Sequence, residues 1–87
     1  MEYEREMVKE EERVFERIAE LPDEEKWEIS DELLVVVTER KVELTPREVN
    51  EFMALIKGHH TRDIFRGVIN TAMRINPSKT TEILQRY

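Results

Sequence analysis

Leu44-Thr45-Pro46-Arg47-Glu48, followed by Val49, Phe52, Met53 and Ile56 and then by Gly58, decides how the rest of this chain is read. Thr45 has the side chain of a helix N-cap, and Pro46 suits the first helical position, where its missing N–H costs nothing. Glu48 stands at the third position, from which it can reach back to the Thr45 backbone and complete a capping box. Apolar residues at steps of three, four and seven then predict a helix whose inward row is Val49, Phe52, Met53 and Ile56. Gly58 predicts the stop, because glycine adopts the left-handed conformation of a helix C-terminus without penalty.

On the C-terminal side the same logic repeats. A helix is expected from Thr61 to Ile75, with Ile64, Phe65, Val68, Ile69, Ala72 and Met73 inward. Asn76-Pro77-Ser78 should stop it and cap a short last helix carrying Ile83, Leu84 and Tyr87. Gly67 falls inside the fourth helix, where it costs about 1 kcal/mol relative to alanine. Close approach of another helix is the expected reason.

On the N-terminal side, Tyr3, Met7, Val14, Phe15, Ile18 and Leu21 recur at helical spacing over residues 2–21. Arg5, Lys9, Arg13 and Arg17 form a basic row on that helix, with Glu2, Glu6 and Glu10 each three residues ahead of a member, and Glu11 is expected at the rim of the apolar stripe. Pro22 should break this helix and open the next, in which Asp23, Glu24 and Glu25 favour the dipole of the first turn. Trp27, Ile29, Leu33, Leu34, Val36 and Val37 supply its apolar face. The run Leu33 to Thr38 is β-prone, which leaves a short hairpin near 35–44 as an alternative. No Gly or Asn marks a tight turn there, so helix is preferred.

The sum is an all-α fold, a compact bundle of four to five helices in a single domain, 1–87. Acidic N-terminal helices (1–43) precede basic C-terminal helices (45–87). Composition agrees, since a chain of 87 residues with 2 Gly favours helix and one small core. With 0 Cys, disulfide scaffolds and thiol chemistry are excluded. No apolar run suffices to cross a bilayer and the N-terminus shows no signal-peptide core, so a cytoplasmic protein without membrane association is expected. A short chain lacking disulfide and metal staples is a candidate for self-association.

Charge is divided unequally. Residues 1–56 hold 18 acidic and 8 basic side chains, a net of −10, whereas residues 57–87 hold 6 basic and 2 acidic, a net of +4; together these make the whole-chain −6. Arg62, Arg66, Asn70 and Arg74 stand four apart on one helical ridge, and Lys79 and Arg86 follow on the last helix. Guanidinium groups at that spacing can bind carboxylates or phosphates through paired hydrogen bonds. These six residues are the expected partner- or nucleic-acid-binding site, unless the row is solvated or paired with the chain's own glutamates.

Nothing points to catalysis. His59-His60 fits no metal-ligand spacing, two isolated glycines build no phosphate loop, and no nucleophile stands in a known catalytic pattern. No enzyme activity, cofactor, metal or small-molecule substrate is expected. The expected role is regulatory, as an adaptor or inhibitor that self-associates and binds a protein partner.

Leu44-Thr45-Pro46-Arg47-Glu48 with Phe52-Met53-Ala54-Leu55-Ile56-Lys57-Gly58 resembles the opening helix of bacterial response-regulator helix-turn-helix domains. Ile75-Asn76-Pro77-Ser78-Lys79-Thr80-Thr81 resembles the turn and start of their recognition helix. The likeness departs from the family in the length of 61–75 and in the early arrival of Ile83 and Leu84. It implies a DNA-binding regulator, with Ser78, Lys79, Thr80 and Arg86 approaching DNA and Arg62 and Arg66 touching phosphate.

Overall fold

The computed structural model describes residues 13–87. The expected features at residues 1–12 (Tyr3, Met7, the Glu2/Glu6/Glu10 pairs, Arg5, Lys9 and Glu11) lie outside the described residues. The fold is an all-helical bundle: α1 over residues 13–19, then α2 (Asp23–Thr38), α3 (Pro46–Ile56), α4 (Arg62–Ile75) and α5 (Pro77–Gln85). No strand occurs among the described residues. The hairpin alternative near 35–44 is corrected by α2, which continues through Val35, Val36 and Val37 to Thr38. Burial of Val36 and Val37 outweighs their β preference.

Helix ends follow the local chemistry. Pro22 sits one residue earlier than expected, as the N-cap of α2, and its carbonyl accepts from the Lys26 N–H at 3.0 Å. At α3 the capping box is present in both directions. The Glu48 N–H donates to Thr45 Oγ1 at 3.2 Å, and the Thr45 N–H donates to Glu48 Oε1 at 2.8 Å. Gly58 ends that helix with φ +92°, while His59 N–H donates to Ala54 O and Gly58 N–H to Leu55 O. That pair of bonds is the Schellman arrangement. Thr61 caps α4 through the Ile64 N–H, and Asn76 caps α5 through the Lys79 N–H.

The core is made by Phe15 and Ile18 of α1, Ile29, Leu33, Val36 and Val37 of α2, Phe52 and Leu55 of α3, four apolar side chains of α4 between Phe65 and Ala72 with Ile75 beyond them, and Ile83 of α5. Helix α4 is the hub, packing against α2, α3 and α5. Its expected inward face is found for Phe65, Val68, Ile69 and Ala72; Met73 is exposed instead, its sulfur facing the Thr81 hydroxyl at 3.9 Å.

Two apolar expectations need larger correction. Trp27 is exposed, but its ring comes close enough to the α3 terminus that a Cβ at Gly58 would sit 3.2 Å from it. Val49, Met53 and Ile56, expected inside, point outward at 43%, 47% and 50% exposure. Phe52 and Leu55 take the core side. The reason is rotational. Glu48 is held by α4 (below), and the residues sharing its helical face are those four and seven positions on, Phe52 and Leu55.

Candidate interaction surface

The cationic ridge of α4 has the expected register, but its charges are engaged within the fold. Arg62 Nη1 donates to Glu16 Oε1 of α1 at 3.1 Å. Arg66 lays its guanidinium over the Phe15 ring of α1, 5.2 Å from the centroid, and its Nε is buried with no hydrogen-bond partner among the described residues. Arg74 Nη2 donates to Glu48 Oε2 of α3 at 2.7 Å. On α5, Arg86 Nη2 pairs with Glu32 Oε1 of α2 at 2.8 Å. Asn70 and Lys79 are exposed, and Lys79 makes no ion pair among the described residues. Arg62, Arg74 and Arg86 thus each meet a glutamate of the same polypeptide while keeping 45%, 49% and 52% of their side-chain surface exposed, and Arg66 lies over an aromatic face.

Glu48 is the most constrained of these carboxylates. It receives the Thr45 N–H and the Arg74 guanidinium, and the Thr71 hydroxyl lies 3.1 Å from its Oε2. The backbone donor first and the guanidinium next hold its pKa down to about 2 from the ordinary 4.5, while burial opposes them. One side chain thus closes the α3 capping box and locks α3 to α4.

The C-terminal turn is tied in a similar way. Tyr87 Oη lies 3.2 Å from Glu32 Oε2 and 3.5 Å from Glu28 Oε2, and burial followed by the Glu32 charge pushes the phenol pKa upward. Sequence reasoning missed Arg40 as well, whose Nη1 donates to the Ile75 carbonyl at 2.9 Å. A guanidinium at the C-terminus of α4 suits the helix dipole. No spacing rule links residues 35 apart, so neither contact left a local signal.

Between α3 and α4 runs an open groove of about 620 Å³. Arg47, Arg66 and Arg74 line it together with Glu48, Glu51 and Asp63, so its walls carry no net charge. That balance gives no preference for an anion. Gly67 belongs here: a Cβ at this position would fall on the Glu51 carboxylate, so the expected close approach is that of an α3 side chain. His60, in the loop between α3 and α4, packs edge-on to Trp27 at 4.5 Å and tilted on Phe65 at 5.5 Å.

One exposed row is apolar. Val49, Met53 and Ile56 form it along the outside of α3, at positions i, i+4 and i+7. Asn50 beside them is exposed and uncharged, and Lys57 at the helix end is exposed and charged. In a chain whose residues are 39% charged, three exposed large apolar side chains in one helical row stand out. Solvent-facing helix surfaces normally carry the polar residues, and an apolar row rimmed by polar ones marks a contact surface.

Comparison with protein families, with curated proteins and with solved structures finds no match to this chain. The likeness to response-regulator helices stays local. Its first half is carried by a capping box and a Schellman glycine, both of which have structural work here. In its second half Thr80 is buried and donates to the Asn76 carbonyl at 2.9 Å, so it does not face a groove of DNA.

Proposed function

We propose that this chain acts by binding, as a small non-enzymatic interaction protein of adaptor or inhibitor type that associates with itself and with a macromolecular partner. The observation that carries this reading is the outward row Val49, Met53 and Ile56, three large exposed apolar side chains on a helix whose other face, Phe52 and Leu55, is already in the core. Exposed apolar area of this kind gains about 25 cal/mol for each Å² removed from water, which makes a covered state favourable. The contact surface moves accordingly from the α4 arginines to α3. The acidic remainder of the chain keeps non-specific anionic contacts away, nucleic acid included.

The test compares one introduced charge with a double charge reversal in the 87-residue chain. Met53→Glu should abolish association in sedimentation and lower partner recovery in an affinity pull-down, with helix content unchanged by circular dichroism. Arg62→Glu with Arg66→Glu should loosen α1 yet retain association. Loss of binding in the arginine variant alone would return the surface to α4 and reject this reading.

A further inference from the structure

We propose that the outward face of α2 is a docking surface for a cationic amphipathic segment of another protein, one that sets apolar residues on Trp27 and Val35 and lysines or arginines on the carboxylates around them. This supplies a partner chemistry for the binding reading above and rests on it, although the surface is on a different helix from the α3 row. Trp27 is 45% exposed and Val35 53% exposed. They stand about 12 Å apart along the helix axis, a little over two turns. Glu24 and Asp31 flank Trp27 three residues before it and four after, and Asp31 and Glu28 precede Val35 by four and seven, so the five side chains share one face. Trp27 is also held in place. The His60 ring meets it edge-on at 4.5 Å, and Gly58 comes so close that a Cβ there would sit 3.2 Å from the indole. Tryptophan is over-represented among the side chains that anchor protein contacts, and a fixed ring has little freedom left to lose on binding.

Charge decides what fits this face. Helix α2 carries six carboxylates and one ammonium, that of Lys26, which is half-buried and lies on the other side of the helix. Glu32 pairs with Arg86, and Glu28 touches the Tyr87 hydroxyl at 3.5 Å. Glu24 and Asp31 make no ion pair among the described residues. The helix dipole accounts for acids in the first turn only, since its influence fades within that turn. Glu28 and Asp31 lie beyond it, and with Glu24 they stand at i, i+4 and i+7, where like charges repel. A segment bearing lysines or arginines relieves that repulsion, and a cation set over the open side of Trp27 adds attraction to the ring. The same charges disfavour other occupants. A second copy brings a further net −6, and nucleic acid or an anionic membrane surface brings phosphates.

The chain has 1 Trp, so the fluorescence of Trp27 reports this face directly. The probe is a synthetic amphipathic peptide of lysine and leucine, about 14 residues long so that it spans the face as a helix. Titrated into the 87-residue chain, it should shift the emission to the blue and saturate, with affinity falling at least about ten-fold between about 0.05 and 0.5 M salt. The same peptide with serine in place of leucine should bind at least about ten-fold more weakly, having lost its apolar anchors. Glu24→Gln with Asp31→Asn should weaken the lysine–leucine peptide by at least about ten-fold at unchanged helix content. Asp63→Asn with Glu82→Gln removes the same charge from α4 and α5 and should leave binding nearly unchanged. Equal losses in the two double variants would overturn the assignment to α2, as would equal binding of the serine peptide or a flat titration. Met53→Glu should not weaken this titration, which keeps the two surfaces apart. A flat titration beside Met53-dependent association rejects the α2 surface and leaves the binding reading standing; a flat titration with no association and no Met53-dependent recovery rejects both.

Discussion

Helices α3 and α4 exchange the roles that their compositions suggest. Helix α4 carries the arginine row that looks made for a partner, and its charges close on Glu16, Phe15 and Glu48 inside the molecule. Helix α3 carries a row that looks made for a core, and Val49, Met53 and Ile56 stand in solvent. One contact connects the two outcomes. Glu48 joins Arg74 on the same helical face as Phe52 and Leu55, and with that face inward the other row faces out. Charge at a helix surface is cheap to satisfy within the fold, whereas an apolar row displaced from the core has no internal remedy.

Removing the hub should have the largest effect. Phe65→Ala, at a fully buried position in α4, should cost about 3–5 kcal/mol in chemical denaturation. Met53→Ala on α3 should leave monomer stability nearly unchanged. Comparable losses at the two sites would show that the α3 row is packed, ending the contrast between the helices.

The next effect is at the joint. Glu48→Ala removes a cap and a guanidinium partner, and should cost about 1–3 kcal/mol. Its pH signature has a defined sign. With the folded pKa lowered to about 2 from 4.5, the stabilising contribution is complete above pH 4.5 and is lost as pH falls towards 2. Glu48→Gln should therefore flatten acid unfolding in that window. An unchanged profile would remove Glu48 as the element that sets the rotation of α3.

Smaller changes are expected on the ridge itself. Arg62 and Glu16 are both substantially exposed, so Arg62→Ala should cost less than about 1 kcal/mol. A larger loss would mean that the ridge organises α1. Smallest of all is Gly67→Ala, where about 1 kcal/mol of helix propensity is gained and the flexible Glu51 carboxylate must move aside. Thermal melting should show a slight rise or no change. A clear fall would assign the Glu51 seat a stabilising role.

How far the sequence was legible follows from the range of each interaction. Thr45, Glu48 and Gly58 act on residues within one turn, and those helix boundaries were readable at once. The inward face of α4 was nearly as clear, because Phe65, Val68, Ile69 and Ala72 repeat in a single phase. In α3 two phases overlap, with Phe52 common to the expected row and the observed one, and periodicity alone could not separate them. Arg74, which meets Glu48 on the observed inward face, lies 26 residues away. The fates of Arg62, Arg66 and Arg86 were hidden for the same reason, since their partners come from α1 and α2.

The central claim is that association runs through the apolar row of α3 and not through the arginines of α4. Sedimentation equilibrium of the 87-residue chain between about 0.05 and 0.5 M salt tests it directly, since the Debye length shrinks several-fold over that range. Each copy carries a net charge of −6, so screening should relieve their mutual repulsion and tighten the dimer as salt rises. Dissociation on adding salt would contradict the account, because it would mean that ion pairs, and not Val49, Met53 and Ile56, hold the copies together.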